Sequence, residues 1–224
     1  MPSTPLTLDI LHEDPHLLVV NKPAGLLTST VPHEPRLTLS AQVRDHVHAH
    51  TPRAIVGVIH RLDRDVSGLL VFSKNPPAYA SLKEQLKKRT IKRVYAAIVQ
   101  GTPSKPAGTF DSRLAEYKDG SVHSTRSPSA GQRAVTDYQL LSTHGNLSLL
   151  RITLHTGRKH QIRVHLSENK LPILGDPLYS PDSPPAPRLM LAAIHLSFTH
   201  PFTSKPLKFE LPLPPEFKAA LKKK

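Results

Sequence analysis

The chain has 224 residues and no cysteine, and its 30 lysines and arginines against 17 aspartates and glutamates give a net charge of +13 with neutral histidines. The missing cysteines exclude disulfides, thiolate zinc sites and cysteine nucleophiles. The positive charge favours a polyanionic partner, with nucleic acid the first candidate, over a basic surface that has no partner. With no secretory signal and no apolar run long enough to span a membrane, we expect a soluble cytoplasmic protein with no membrane partner.

The first predicted elements are a strand and a helix. A short strand over residues 17–20 ends at the turn signal NKPAG. Apolar residues spaced four apart then predict an amphipathic helix over residues 38–50, capped by Thr38 or Ser40.

Two buried strands and a second helix follow. The strands are predicted at residues 54–59 and 69–74, from the apolar runs AIVGVI and LLVFSK. The pair Asn75-Pro76 begins a helix that extends to about residue 88. The buried stripe of this helix is predicted to consist of Tyr79, Leu82 and Leu86.

The second half of the chain is dominated by strands. A strand over residues 92–101 is followed by a predicted hairpin of residues 134–141 and 147–155, and by another of residues 193–200 and 207–213. Short turns between strands, with few helices, indicate an α+β fold with a mixed, mostly antiparallel sheet and flanking helices.

The length fits one domain, or one domain with a small lobe, and we predict a single domain over residues 1–224. Residues 1–7 and 220–224 are expected to be flexible tails.

The stretch HRLDRDVSG, residues 60–68, places charge between two apolar runs. Arg61 and Arg64 would keep the carboxylate of Asp63 ionised, available as a nucleophile or charge stabiliser. The alternative is a structural knot of ion pairs around a turn. Asp65 could form a carboxylate pair with Asp63, as in hydrolases and metal sites, but no acidic cluster elsewhere completes a metal shell.

A second dense stretch, HTGRKHQIRVHL, covers residues 155–166. A helix that starts within it would favour an anion at its N-terminus, and Arg158, Lys159 and Arg163 add cationic donors. The stretch therefore predicts phosphate or carboxylate binding, or else an ordinary basic helix face. Its three histidines do not predict a metal site, because no carboxylates interleave with them.

Tyr95 lies on the predicted strand 92–101, beside Lys92 and Arg93. A tyrosine next to cations can stack on a base of single-stranded RNA. It can equally belong to the core, and the spacing does not decide between the two.

Five stretches in this order resemble the RluA family of pseudouridine synthases over nearly the whole chain. They are ILHEDPHLLVVNKPAGLLT (10–28), HRLDRDVSGLLVFSK (60–74), KRVYAAIVQG (92–101), LHTGRKHQIRVHL with LPILGDPLYS (154–166 and 171–180), and LAAIHLSFTHPFTSKPL (191–207).

The resemblance implies an isomerase with the pseudouridine synthase fold and a central active-site cleft, which needs neither cofactor nor metal. It makes Asp63 the catalytic nucleophile and Arg61 the side chain that enters the RNA stack as the target uridine leaves it. Tyr95 would stack on the uracil and act as general base. Arg163 would pair with the catalytic aspartate, and Leu174 would contact the base.

The implied substrate is a specific uridine in structured RNA, a ribosomal or transfer RNA stem-loop. The other candidate RNA-contacting residues are His60, Arg64, Lys92, Arg93, Arg158 and Lys159. The sequence departs from the family pattern at Val66, where threonine is usual. We expect a monomer that resembles the stand-alone members without an S4-type domain. The alternatives are a non-catalytic RNA-binding protein or chaperone on the same scaffold, and a carboxylate-dependent nuclease using Asp63 and Asp65.

Overall fold

The structure is a computed structural model that describes residues 8–30 and 37–222, so the predicted N-terminal tail, residues 1–7, lies outside the described residues. The chain divides into two compact units. Unit 1 consists of Met1–Ile91 and Ser197–Phe209, and unit 2 of Lys92–Leu196 and Glu210–Lys224. The described elements are strands in mostly antiparallel pairs and a few helices, which confirms the α+β class. The single domain stays a prediction.

Unit 1 is built around one buried strand. Its strand order is β1-β2-β4, with antiparallel pairing throughout, and β3 also pairs with β4. The central strand β2 buries residues 17–20 completely, which explains its run of apolar side chains on both faces. The elements are β1 (Asp9–Glu13), β2 (Leu17–Lys22), α1 (Leu39–His50), β3 (Gly57–Val58), β4 (Ser67–Ser73) and α2 (Pro76–Lys87).

Both helices of unit 1 begin where the sequence predicts. The Thr38 hydroxyl accepts a hydrogen bond from the backbone N–H of Ala41 at the start of α1. The Asn75 side chain does the same for the N–H of Ala78 at the start of α2. These caps satisfy N–H groups that have no partner within the helix.

Two predictions in unit 1 are wrong in part. The strand expected over residues 54–59 is confined to Gly57–Val58, because the N–H of Ala54 turns back to the Thr51 carbonyl. On α2 the buried side chains are Ala78 and Leu82, whereas Tyr79 is 40% exposed. The Tyr79 ring lies against the backbone of Gly57, where a missing side chain leaves room for it.

In unit 2, antiparallel pairing joins the strands in the order β5-β9-β8-β6-β7. Its strands are β5 (Lys92–Gln100), β6 (Ala107–Glu116), β7 (Val122–Thr125), β8 (Gln132–His144) and β9 (Leu147–Leu154), and its helices are α3 (Gln161–Glu168) and α4 (Pro215–Lys222). The β8–β9 hairpin is the predicted one, with a longer first strand. The sequence did not predict β6 and β7.

The last hairpin consists of β10 (Leu191–Thr199) and β11 (Pro206–Glu210). The N–H of His200 donates to the Lys205 carbonyl at 2.8 Å and closes its turn. Residues 220–222 of the predicted C-terminal tail belong to α4, and residues 223–224 lie outside the described part. The flexibility of this tail stays a prediction. Helix α4 is held by Phe217, which is fully buried beneath the Arg188 guanidinium.

The turn between β1 and β2 is organised by one carboxylate, that of Asp14. It accepts hydrogen bonds from the backbone N–H groups of His16 at 2.7 Å and Leu17 at 2.9 Å. The Nε2 atoms of His12 and His200 lie 2.9 and 3.0 Å from its other oxygen. Burial raises the pKa of Asp14, but these hydrogen bonds outweigh burial and lower the pKa to about 2.

Because the pKa of Asp14 is lower in the folded state than its ordinary value of 3.8, its contribution to stability is complete above about pH 4 and is lost as the pH falls towards 2. Asp14→Asn is expected to lower the free energy of unfolding at pH 7 by about 1–2 kcal/mol. Urea denaturation at a series of pH values from 7 to 2 measures this effect. The difference in the free energy of unfolding between the variant and the wild type should shrink below pH 4. Asp45→Asn, an exposed change on α1, is the control and should alter stability by less than about 0.5 kcal/mol. A gap that is independent of pH would contradict the prediction.

Candidate active site

The turn that carries Asp63 is held in place by the NKPAGLLT segment of unit 1. The ammonium group of Lys22, which is fully buried, donates to the Arg64 carbonyl at 2.8 Å. The N–H of Gly25 donates to the same carbonyl at 2.9 Å. The Thr28 hydroxyl donates to the Leu62 carbonyl at 2.8 Å and accepts from the Leu62 N–H at 3.1 Å. The residues on both sides of Asp63 are therefore fixed from one segment.

Lys22 also organises its own segment. Its ammonium group donates to the carbonyls of Pro23 at 2.9 Å and Leu26 at 2.7 Å, in addition to Arg64. An ammonium group has three protons to donate, so these three carbonyls match its donor capacity. The lysine thus joins two loops that are 42 residues apart in sequence.

Lys22→Met keeps the aliphatic stem and removes the three donors. Because the carbonyls of Pro23, Leu26 and Arg64 then lose a buried partner, we expect the free energy of unfolding to fall by about 2–3 kcal/mol. Chemical denaturation measures this loss. Lys87→Met, at an exposed position on α2, is the matched control and should stay within about 0.5 kcal/mol of the wild type. Equal effects of the two changes would show that the loops do not depend on Lys22.

The carboxylate of Asp63 lies just before β4, at a half-buried position. The Val66 N–H donates to the Asp63 carbonyl at 3.2 Å and closes the turn. The neighbouring Arg64 donates through Nε to Asp65 at 3.1 Å, and the Arg64 side chain is 50% exposed. The surface pair in this turn therefore joins Arg64 to Asp65. Val66 is buried, 2% exposed.

In unit 2, the segment before α3 is fixed by one glutamine. The Gln161 side-chain oxygen accepts from the Thr156 hydroxyl at 2.7 Å and from the Arg158 N–H at 3.0 Å. Its amide nitrogen donates to the Thr136 hydroxyl at 2.8 Å and to the Val135 carbonyl at 3.0 Å on β8. Helix α3 therefore starts at a defined position against the sheet, and so does the arginine on its first turn.

That arginine, Arg163, is buried and paired with Asp176. Its Nε donates to one carboxylate oxygen and its Nη2 to the other, both at 2.8 Å. The Asp176 carboxylate also accepts from the N–H groups of Leu178 at 3.0 Å and Tyr179 at 3.1 Å. The Tyr179 ring centroid is 5.0 Å from the Arg163 guanidinium carbon. The guanidinium plane is thereby fixed on two sides.

Asp176 is a residue that sequence reasoning missed. It is 1% exposed. Burial raises its pKa, but the Arg163 hydrogen bonds and charge, with the two backbone N–H groups, hold that pKa below its ordinary value. Its position in LGDPLYS was visible as part of a motif. Nothing in the spacing indicated that its partner lies 13 residues earlier on a helix.

A family model described as RNA pseudouridylate synthase matches residues 16–168. This range includes the turn that carries Asp63, the segment before α3, and α3 itself. The chain belongs to the RNA pseudouridylate synthase family. It is therefore an enzyme of the isomerase class that acts on RNA, which confirms the resemblance found in the sequence.

Two bacterial relatives show how far the similarity extends. The chain is 35% identical over 218 residues to the uncharacterized RNA pseudouridine synthase YjbO of Bacillus subtilis, covering 97% of this chain and 77% of the relative. It is 37% identical over 234 residues to the ribosomal large subunit pseudouridine synthase D of Zymomonas mobilis, covering 97% and 73% of the two chains.

A solved structure shares the fold. The human RNA pseudouridylate synthase domain containing 4 matches with a TM-score of 0.79 and 28% sequence identity, over 95% of this chain and 91% of that one. The pseudouridine synthase fold is thereby confirmed.

The residues predicted for this pseudouridine synthase site are divided between the two units. Asp63, Arg61, His60 and Arg64 belong to unit 1, and the others belong to unit 2. Those with exposed side chains are Arg61, Arg64, Lys92, Arg158 and Lys159, and those with buried positions are His60, Arg93, Tyr95, Arg163 and Leu174.

The exposed cations of unit 2 differ in their contacts. Lys159 forms an ion pair with Glu116 at 2.5 Å, and the Arg158 Nε donates to the Arg133 carbonyl at 3.2 Å. Leu174, 5% exposed, lines an apolar cavity of about 400 Å³ together with residues 184–187.

The three histidines of the 155–166 stretch have different partners. His155 Nε2 lies 2.6 Å from Asp137, His160 Nδ1 lies 2.9 Å from the Tyr179 hydroxyl, and His165 Nδ1 lies 2.9 Å from the Thr136 hydroxyl. Within residues 8–30 and 37–222, no group of three or more histidines and carboxylates could hold a metal ion. None of the helices in those ranges is long and apolar enough to cross a membrane.

Proposed function

We propose that the chain isomerises a specific uridine in a ribosomal or transfer RNA stem-loop to pseudouridine, with Asp63 as the nucleophile. The observation that carries the proposal is the fixation of the Asp63 turn from both sides, through Leu62 and Arg64. A catalytic group must be held in its reacting geometry before substrate arrives. A turn that only carries surface ion pairs does not need to be held so firmly.

The reaction moves one glycosidic bond. The N1–C1′ bond of uridine breaks, the uracil turns, and a bond forms between C5 and C1′. C5 loses its proton and N1 gains one, so the product has the mass of the substrate. The Asp63 carboxylate can attack C1′ or C6, or assist removal of the 2′ proton.

The remaining roles follow the family resemblance. The target uridine leaves the stack so that its C1′ can be reached, at a cost of a few kcal/mol. Arg61, which is exposed beside Asp63, takes the vacated place in the RNA stack. Tyr95 stacks on the uracil and serves as the general base, and Leu174 contacts the base. Arg163 supplies positive charge to the reacting carboxylate.

The proposed substrate has an unpaired uridine, because flipping a base out of a full duplex costs more. The protein is proposed to act as a monomer in the cytoplasm. The net charge of +13 would attract the RNA. The exposed cations would contact its phosphates. The cations proposed for this contact are Arg61, Arg64, Lys92, Arg158 and Lys159.

A tritium-release assay tests the proposal with RNA that carries 5-tritiated uridine. A stem-loop should release tritium and keep its length, and the same sequence closed into a perfect duplex should release little. The logarithm of the apparent affinity should fall with the logarithm of salt by roughly 0.7–0.9 per phosphate contact. Binding without release would favour the non-catalytic RNA-binding protein, and shortening of the RNA would favour the nuclease. Equal rates on loop and duplex would contradict the proposed substrate.

A further inference from the structure

Arg93 is an arginine on β5 whose side chain is buried. Its side chain is 8% exposed, and its Nη2 donates to the Thr156 carbonyl at 3.2 Å. Its Nε is buried and has no hydrogen-bond partner among the described residues. Within residues 8–30 and 37–222, no ion pair joins Arg93 to a carboxylate, so no carboxylate there neutralises its charge.

Arg163, in the same unit, is a buried arginine whose guanidinium group is paired with a carboxylate. It is 7% exposed, close to the 8% of Arg93, yet two of its nitrogens bond to the Asp176 carboxylate. Buried charges are normally paired, because an unpaired one loses its hydration without compensation. Burial accordingly lowers the pKa of Arg93. Its position is therefore costly in the unliganded protein, which points to an anion that arrives from outside.

The absence of a side chain at Gly157 leaves space for the Arg93 guanidinium group. A side chain at Gly157 would place its first carbon 2.8 Å from the Arg93 Nη1, so the glycine permits the close packing of the two segments. On the same strand, Tyr95 lies two residues further on and therefore points to the same face as Arg93. The spacing of two strand residues, about 7 Å, is comparable to the distance from a base to the phosphate of its own nucleotide.

We infer that Arg93 binds one phosphate of the RNA, on the face of β5 that also carries Tyr95. The inference rests on the proposed function for the identity of the anion. A general basic surface attracts many phosphates through exposed side chains, whereas the buried Arg93 guanidinium would bind a single phosphodiester group. The phosphate supplies the full negative charge that no described carboxylate provides to Arg93, and a charge-assisted hydrogen bond of this kind is stronger than a neutral one.

The first experiment measures stability without RNA. Arg93→Met replaces the unpaired charge with an apolar side chain of similar length, so the variant should melt at or above the wild-type temperature in chloride buffer. Inorganic phosphate, at matched ionic strength, should raise the melting temperature of the wild type and leave that of the variant unchanged. The control is Arg133→Met, an exposed position on β8, where the response to phosphate should be that of the wild type. An Arg93→Met variant that is unfolded, or melts lower than the wild type, would overturn the inference.

The second experiment measures turnover of the stem-loop RNA. Arg93→Met should raise KM roughly tenfold, change kcat little, and reduce the slope of log affinity against log salt by about 0.7–0.9. Arg93→Lys keeps the charge and should recover part of the affinity. An unchanged salt slope would overturn the inference. Phosphate stabilisation does not require activity, so a wild type that binds phosphate through Arg93 but forms no pseudouridine would refute the proposed function and leave this site standing.

Discussion

Asp63→Asn is expected to abolish pseudouridine formation, with turnover falling on the order of 10⁴-fold or more, as for nucleophile removal in other enzymes. The change is nearly isosteric. Lys22 and Thr28 hold the turn through the backbone of Leu62 and Arg64, and the substitution leaves these hydrogen bonds in place. Folding and RNA binding should therefore stay close to the wild type, with affinity within a few fold.

The measurement is tritium release from the stem-loop, with RNA affinity and thermal melting recorded for the same preparations. Asp65→Asn is the matched control, since it changes a carboxylate two residues away whose partner is the exposed side chain of Arg64. The control should retain most of its activity. Substantial turnover by Asp63→Asn, or equal losses in the two variants, would remove Asp63 from the role of nucleophile.

Asp176→Asn is expected to give the largest loss of stability, about 3–5 kcal/mol, because it removes the charge of the carboxylate that is bonded to the buried Arg163. The same change frees the Arg163 guanidinium from its bidentate geometry. If Arg163 acts in the reaction as proposed, kcat should fall more than RNA affinity does. Urea denaturation and steady-state kinetics of the stem-loop reaction measure the two effects.

The chain offers a matched control on its surface. Asp111 forms the same bidentate pair with Arg133, but their side chains are 42% and 60% exposed. Asp111→Asn should therefore cost much less stability than Asp176→Asn, because solvent screens the exposed pair. The double variant Arg163→Met with Asp176→Asn should lose less stability than the sum of the two single changes, because neither partner remains charged. An Asp176→Asn variant as stable as the control would show that the buried pair is not what fixes Arg163.

The sequence by itself determined the local elements and the identity of the motifs. Helices α1 and α2 begin at Thr38 and Asn75 because a capping side chain acts on N–H groups only three residues away. The turn around Asp63 and the strand that contains Tyr95 were likewise predicted, since alternating or continuous apolar runs bounded by charge are local signals. The family follows from the order of such motifs along the chain.

The tertiary structure decided which side chains meet and which are buried. The Lys22 ammonium reaches a carbonyl 42 residues away, and Arg163 meets Asp176 across 13 residues, contacts that no local spacing encodes. Arg93 and Lys92 are neighbours with the same charge, yet Arg93 is buried and Lys92 is exposed. Alternation along a strand separates their faces, but only the packing of the Thr156–Gly157 segment against β5 determines that the face of Arg93 is enclosed.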